Sequence, residues 1–320
     1  MLYEKLSQKD VWRPVSDKPV LPRGEEGAWD SYGVMHACLL GAEDGFRLWY
    51  EGRSKKVGKA EGHIVFGAEI GFAESADGRV WKKHPEPALE PGPAGAWDSH
   101  HVFYPTVLRL DEELWMYYHG NDAVINHCSI GLAFSQDGVA WRRHPENPVM
   151  SLGEDDELGF INIACPNVVR TQDGFAMIYV RERPRKDGTG PITDIALAKS
   201  RDGKRWKPCS MVIDLEREGL CISYPSLLEV EGRYLLWAWA FTHDPDHQDR
   251  NDLRLYGSPD LERWEPLWET GWVNTWTDNA FTRRAFIPRI FQAGERRYFM
   301  LYPIRFQRGV CDTGLAIARI

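Results

Sequence analysis

The sequence predicts an all-β protein: a five-bladed β-propeller with four antiparallel strands per blade, one domain over residues 1–320, its last blade closed by the N-terminal strand. Three observations carry this. A segment recurs at a spacing of roughly 60 residues, the signature of a repeat architecture: IGFAESADGRVW ends at Trp81, IGLAFSQDGVAW at Trp141, IALAKSRDGKRW at Trp206 and LRLYGSPDLERW at Trp264. Two further strand patterns lie upstream of each copy. The fifth set stops at Ile320 without its Trp segment, while DVWRPVSDKPVL from Asp10 resembles RVWKKHPEPAL from Arg79. The chain start can therefore supply the missing strand and leave no open edge.

The first strand of each unit is marked by HACLL from His36, YPTVL from Tyr104, CPNVV from Cys165, YPSLL from Tyr224 and IPRIF from Ile287. The second is RLWYEG from Arg47, LWMYYHG from Leu114, FAMIYVRE from Phe175, YLLWAWAF from Tyr234 and RYFMLYPI from Arg297. The recurring segment supplies the third strand, an Asp-Gly turn and a short fourth strand entered at Trp. Asp77, Asp137 and Asp202 are read as turn residues and the tryptophans as packing anchors. Connections between first and second strands are tight. Those between second and third are long and polar, as in HGNDAVINH and RERPRKDGTGPITD, so the functional face is expected there.

Composition narrows the function. With 43% hydrophobic residues the 320-residue chain can bury a full core, and a net charge of −8 disfavours nucleic acid and anionic membranes as partners. No apolar run approaches a membrane span, and MLYEKLSQKDVW lacks a secretory pattern. The six scattered cysteines form no C-x-x-C pair, which fits buried thiols in a reducing, cytoplasmic setting. The 14 tryptophans fit structural anchors or stacking surfaces for sugars.

Candidate site residues follow from the repeats. The pentapeptide GAWDS occurs at 27–31 and 95–99, placing Asp30 and Asp98 at the entry to first strands; counting the same seven residues back on a third blade gives Glu218. Each aspartate reads either as a catalytic carboxylate or as a cap on the turn. If chemical, the two copies are expected to be inequivalent, since a substrate fills the mouth asymmetrically. Glu182 is a further acid, and its neighbours Arg181 and Arg183 are expected to keep it ionised. His36, His100, His101, Tyr104, His119, Asp122, Arg183, Tyr224 and Arg284 are candidate substrate-binding residues. Arg183, Arg283, Arg284 and Arg289 could instead hold an anion. Glu69, Asp194, Asp252 and Asp312 precede third strands at equivalent positions and read as structural.

Four-stranded units in a ring of five, with a charged mouth and an Asp-Gly turn per blade, resemble the propeller glycosidases of families 43, 32, 62, 117 and 130. The resemblance implies a carbohydrate substrate and acid/base cleavage of a glycosidic bond, with a non-catalytic sugar-binding propeller and a glycoside phosphorylase as alternatives. It implies no cofactor beyond a single axial divalent ion. In family 43 members an Asp-Pro pair supplies the base; here the residues before the repeat prolines are Tyr104, Cys165, Tyr224 and Ile287, and Ser223 stands where the acid is expected.

Overall fold

The computed structural model describes residues 1–320 except 61–62, 123–127, 153–161, 186–190, 244–250, 269–270, 273–274, 277–286 and 308–309. For 55–60, 63–66 and 305–307 it gives the backbone alone. The protein is nearly all β. A short helix α1 (Leu2–Leu6) and strand β1 (Arg13–Pro14) come first. Then follow β2 (Gly33–Ala42), β3 (Gly45–Ala60), β4 (His63–Ser75) and β5 (Lys82–Lys83); β6 (His101–Leu110), β7 (Glu113–Asn121), β8 (Cys128–Ser135) and β9 (Arg142–Arg143). The next set is β10 (Asn162–Thr171), β11 (Gly174–Pro184), β12 (Pro191–Ser200) and β13 (Lys207–Ile213). After it come β14 (Cys221–Val230), β15 (Arg233–Phe241), β16 (Asp252–Ser258) and β17 (Glu265–Pro266), then β18 (Arg289–Gly294), β19 (Arg297–Gln307) and β20 (Val310–Arg319). Neighbours within each set pair antiparallel, and β20 takes β1 as its outer partner, with Arg13 opposite Ile317 and Pro14 opposite Ala316. The last set meets the first, and the first meets the second, through single parallel pairs, Gly33 with Cys311 and Ala68 with His101. Among the described residues, no helix is long and apolar enough to cross a membrane.

The recurring Asp-Gly segments are turns built by side chains. Ser75, Ser135 and Ser200 accept the amides of Gly78, Gly138 and Gly203 through Oγ at 2.8–2.9 Å. Asp77, Asp137 and Asp202 each accept the amides two and three residues on. Three backbone donors are thereby satisfied per turn. The Trp81 and Trp141 indoles close the motif on the carbonyls of Gly78 and Gly138, at 3.0 and 2.9 Å. In the fourth copy Leu261 stands where glycine stood and adopts φ 69°, a conformation L-residues disfavour, yet Trp264 still donates to its carbonyl at 2.8 Å. One expected loop has a different form: the connection after Glu51 in the first set is an extension of the β3–β4 hairpin, with Gly58 opposite Val65 and Lys59 opposite Ile64.

The first strands β2, β6, β10 and β14 each break their register at one equivalent place. Shifts fall between Met35 and Cys38, Phe103 and Thr106, Ala164 and Asn167, and Ser223 and Ser226. Inside them His36, Tyr104, Cys165 and Tyr224 adopt φ of 46°, 54°, 55° and 51°. Positive φ at non-glycine residues costs free energy and marks imposed geometry. Here each bulge re-aims a side chain and a carbonyl. The side chains converge: the His36 ring lies 5.0 Å from both Tyr104 and Tyr224. The carbonyls are taken by neighbouring strands, Pro166 by Thr106 Oγ1 at 2.6 Å and Pro225 by Tyr104 at 2.6 Å and Asn167 at 2.9 Å. This buried hub divides the loop-facing ends of the strands from the hairpin ends.

Candidate functional site

Strand alternation sorts the candidate residues onto opposite faces. On one face of β3 lie Tyr50 and Gly52, and over them sits the first GAWDS copy. Trp29 stacks on Tyr50 with centroids 5.8 Å apart; Asp30, 3% exposed, accepts from Tyr50 Oη at 3.1 Å and Lys83 Nζ at 2.6 Å. The second copy repeats this on β7: Trp97 stacks on Tyr118 at 5.7 Å, and Asp98 accepts from Tyr118 Oη at 2.9 Å and Arg143 Nε at 2.8 Å. Gly52 and Gly120 are where these indoles press closest to the strand, so any side chain there meets the ring. In these hydrogen bonds the two copies are alike. Both tie a second strand to a cation of the outer strand, because the pentapeptide recurs together with its tyrosine, glycine and basic partner.

The opposite face of the same strands looks toward the hub. Glu51 is fully buried, accepting from Arg53 Nε at 2.5 Å and facing His36 Nδ1 at 2.6 Å. Burial alone would raise its carboxyl, but the charges and hydrogen bonds of Arg53 and His36 overcome that and hold it well below the ordinary carboxylate range. Burial lowers His36 against the pull of Glu51, and among the described residues its Nε2 meets no partner. His119, opposite Phe103 with ring centroids 3.6 Å apart, has neither ring nitrogen bonded among the described residues, and burial pushes it down to about 3. Sequence reasoning missed Glu51 and Arg53; the polar-apolar alternation of RLWYEGR was the available signal.

A lowered histidine makes the fold acid-sensitive. The unfolded His119 titrates near 6.5, so its share of stability is complete above that pH and falls on acidification toward pH 3. The slope is about 1.4 kcal/mol per pH unit, with His36 and, further down, Glu51 acting in the same sense. Urea midpoints measured at pH 5 and pH 8 are expected to differ accordingly, and the difference to shrink in His119→Asn; a variant with the wild-type pH dependence would remove His119 from this role.

Register places Arg53, Asn121, Glu182 and Phe241 at one level, two residues nearer the loops than Glu51, His119, Val180 and Trp239. Glu182 is partly buried, opposite Asn162, whose side chain hydrogen-bonds it and also accepts the Cys128 amide at 2.7 Å. Burial raises the Glu182 carboxyl, opposed by that hydrogen bond. The expectation that its arginine neighbours keep it ionised fails, since both point to the other face of β11. Arg181 donates to Asp194 at 2.8 Å and Arg183 to Glu216 at 2.6 Å. Trp239 and Phe241 stack at 4.2 Å beside Tyr224 and remain partly exposed.

The remaining candidates divide. His101 accepts the Ala68 amide through Nδ1 at 3.1 Å and meets His100 edge-on at 4.0 Å; Asp122 is half-buried at the end of β7. Glu218 does not share a level with Asp30 and Asp98. It lies in a 3-10 turn, half exposed, 3.6 Å from Arg254, because that turn takes up the residues counted as extended chain. Three of the equivalent acids pair with arginines: Asp194 with Arg181, Asp252 with Arg254 and Asp312 with Arg23. Arg283 and Arg284 lie outside the described residues. Among the described residues no three of His, Cys, Asp or Glu are grouped to hold a metal. Arg53 and Arg289 both add positive charge beside His36.

Comparison with known proteins agrees with this architecture. Over 237 residues the sequence is 26% identical to the uncharacterized protein MT1551 of Mycobacterium tuberculosis (strain CDC 1551 / Oshkosh), covering 71% of this protein and 75% of that one. Over 111 residues it is 29% identical to a beta-1,2-mannobiose phosphorylase of Thermoanaerobacter sp. (strain X514), covering 33% and 36%. A solved structure named as a glycoside hydrolase superposes with a TM-score of 0.75 at 13% identity, covering 100% of this protein and 96% of the other. Further similar folds are named as family 43, 117 and 130 proteins. Residues 58–260 match the N-terminal domain of glycosyl hydrolases family 32, and with well over half its length so matched the protein belongs to that family, among the β-propeller glycosidases.

Proposed function

We propose that this protein is a glycan-cleaving enzyme whose five four-stranded sets close into a ring through β1. The loop-facing end of that ring takes the sugar, and Glu182 is its proton donor. The observation that carries this is Glu182 itself: a carboxyl raised by burial, at the loop-facing end, with no cation paired to it among the described residues. A general acid must hold its proton at working pH and release it to the leaving oxygen, and desolvation supplies that. Trp239 and Phe241 offer an apolar platform for a sugar face, and Arg53 and His101 offer polar contacts. Asp30 and Asp98 we read as braces between strands. Asp30→Asn and Asp98→Asn are each expected to lose about 1–3 kcal/mol of stability, the worth of a charged hydrogen bond, with turnover within about threefold of wild type. A loss of orders of magnitude in turnover at unchanged melting temperature would return catalysis to these residues.

In hydrolysis, water attacks the anomeric carbon, the glycosidic C–O bond breaks, the leaving oxygen takes the Glu182 proton and a base takes the proton of water. A second reading is phosphorolysis, in which phosphate is the attacking group and one protein acid suffices. The similarity to a mannobiose phosphorylase favours it, as does the arginine pairing that already occupies Asp194, Asp252, Asp312, Glu216 and Glu218. Incubating the protein with a panel of disaccharides and aryl glycosides, with and without inorganic phosphate, separates the two. Free sugar without phosphate supports hydrolysis, and sugar phosphate formed only with phosphate supports phosphorolysis. Saturable binding without turnover would overturn both in favour of a sugar-binding propeller.

A further inference from the structure

On the hairpin side of the hub, the residue two places after each bulge forms a belt: Cys38, Thr106, Asn167, Ser226 and, on β18, Arg289. All are buried, with Arg289 only 2% exposed. The four neutral members are bonded to neighbouring strands. Cys38 Sγ accepts the Val107 amide, Thr106 donates to the Pro166 carbonyl, Asn167 donates to the Pro225 carbonyl and Ser226 accepts the Ile290 amide. Arg289 is different. Its Nη2 reaches Pro105 O at 3.4 Å and Thr106 Oγ1 at 3.2 Å and its guanidinium lies 4.5 Å over the Tyr104 ring, while Nε and Nη1 are buried and meet no acceptor among the described residues.

Charge sharpens the point. Among the described residues the hub holds two guanidinium groups, Arg53 and Arg289, against one carboxylate, Glu51, and Arg53 already engages that carboxylate. A buried charge left uncompensated costs several kcal/mol, and two unmade hydrogen bonds add to the cost. Leading outward from Arg289 is a channel of about 550 Å³ lined by Cys38, Thr106, Asn167, Val168, Leu228 and Phe291 among others, with exposed Glu229 and Glu231 farther out. An acidic outer end disfavours multiply charged anions more than singly charged ones.

We propose that the inner end of this channel is a binding site for one small monovalent anion of halide size, held by Arg289 on the hairpin side of the hub. Its role is structural: it completes the charge balance where the strands converge. Melting of the full-length protein is to be followed while sodium bromide replaces sodium gluconate at fixed ionic strength. A saturable rise of about 2–4 °C is expected, as for any ligand that binds the folded state alone, and the rise is absent in Arg289→Met. Should that variant not fold, anomalous diffraction from bromide-soaked wild-type crystals provides the test, with a peak expected within hydrogen-bonding distance of the Arg289 guanidinium. Melting that ignores bromide, a bromide response unchanged in Arg289→Met, or no peak at Arg289 would each overturn the site. A peak without any shift in melting would mean an adventitious ion only.

Discussion

Glu182→Gln is expected to lower kcat by about 10²–10⁴-fold, the usual worth of a positioned proton donor, while the melting temperature stays within a few degrees of wild type. The residue sits at the end of β11, and its one described side-chain partner, Asn162, can bond an amide as well as an acid. Its pH signature follows from the direction of its shift. Activity requires the protonated form, so kcat is retained at low pH and lost as pH rises through the Glu182 value, which lies above the ordinary carboxylate. In Glu182→Gln that alkaline limb should vanish along with most of the rate. A variant with near-normal kcat and an unchanged limb would move the acid elsewhere.

Removing residues through Val20 is expected to abolish cooperative folding. Tyr3, Leu6 and Trp12 are 4%, 0% and 1% exposed and pack with Leu235, Trp237, Tyr298 and Met300, so the segment is part of the core between the fourth and last sets. Each such side chain contributes about 1.5–3 kcal/mol on burial, and three together rival the typical 5–15 kcal/mol of net stability. The backbone loss compounds it: Val15 and Val20 donate to the carbonyls of Leu315 and Thr313 at 2.9 Å, and Trp268 Nε1 donates to Ser7 O at 2.6 Å. Circular dichroism melts of the truncated and full proteins make the comparison. An unchanged transition would mean that β1 and the helix before it are dispensable to the fold.

The strands were legible because their information is local. Ser-x-Asp-Gly and the following Trp build the same turn wherever they occur, as Ser75, Asp77, Gly78 and Trp81 do, so counting copies counts hairpins. The pairing of the N-terminus with β20 was readable too, since Arg13 and Pro14 continue the same Trp-led pattern. The site was less so. Glu182 was misjudged by reading neighbours along the sequence, where a strand sends Arg181 and Arg183 to the other face. Glu51 stayed hidden because its partner His36 is brought to it by a bulge that sequence patterning does not reveal. The GAWDS aspartates read either as catalytic carboxylates or as caps; what the pentapeptide alone did not show is the set of partners that recurs with them, Tyr50 and Lys83, then Tyr118 and Arg143.

The proton-donor assignment is tested most directly by the dependence of rate on the leaving group. Wild type and Glu182→Gln are to be compared on one glycone carrying either a dinitrophenolate leaving group, which departs without protonation, or a second sugar, which does not. Expected is near-wild-type kcat on the activated substrate and a loss of about 10²–10⁴-fold on the disaccharide. An equal loss on both, or no loss on either, would contradict proton donation by Glu182.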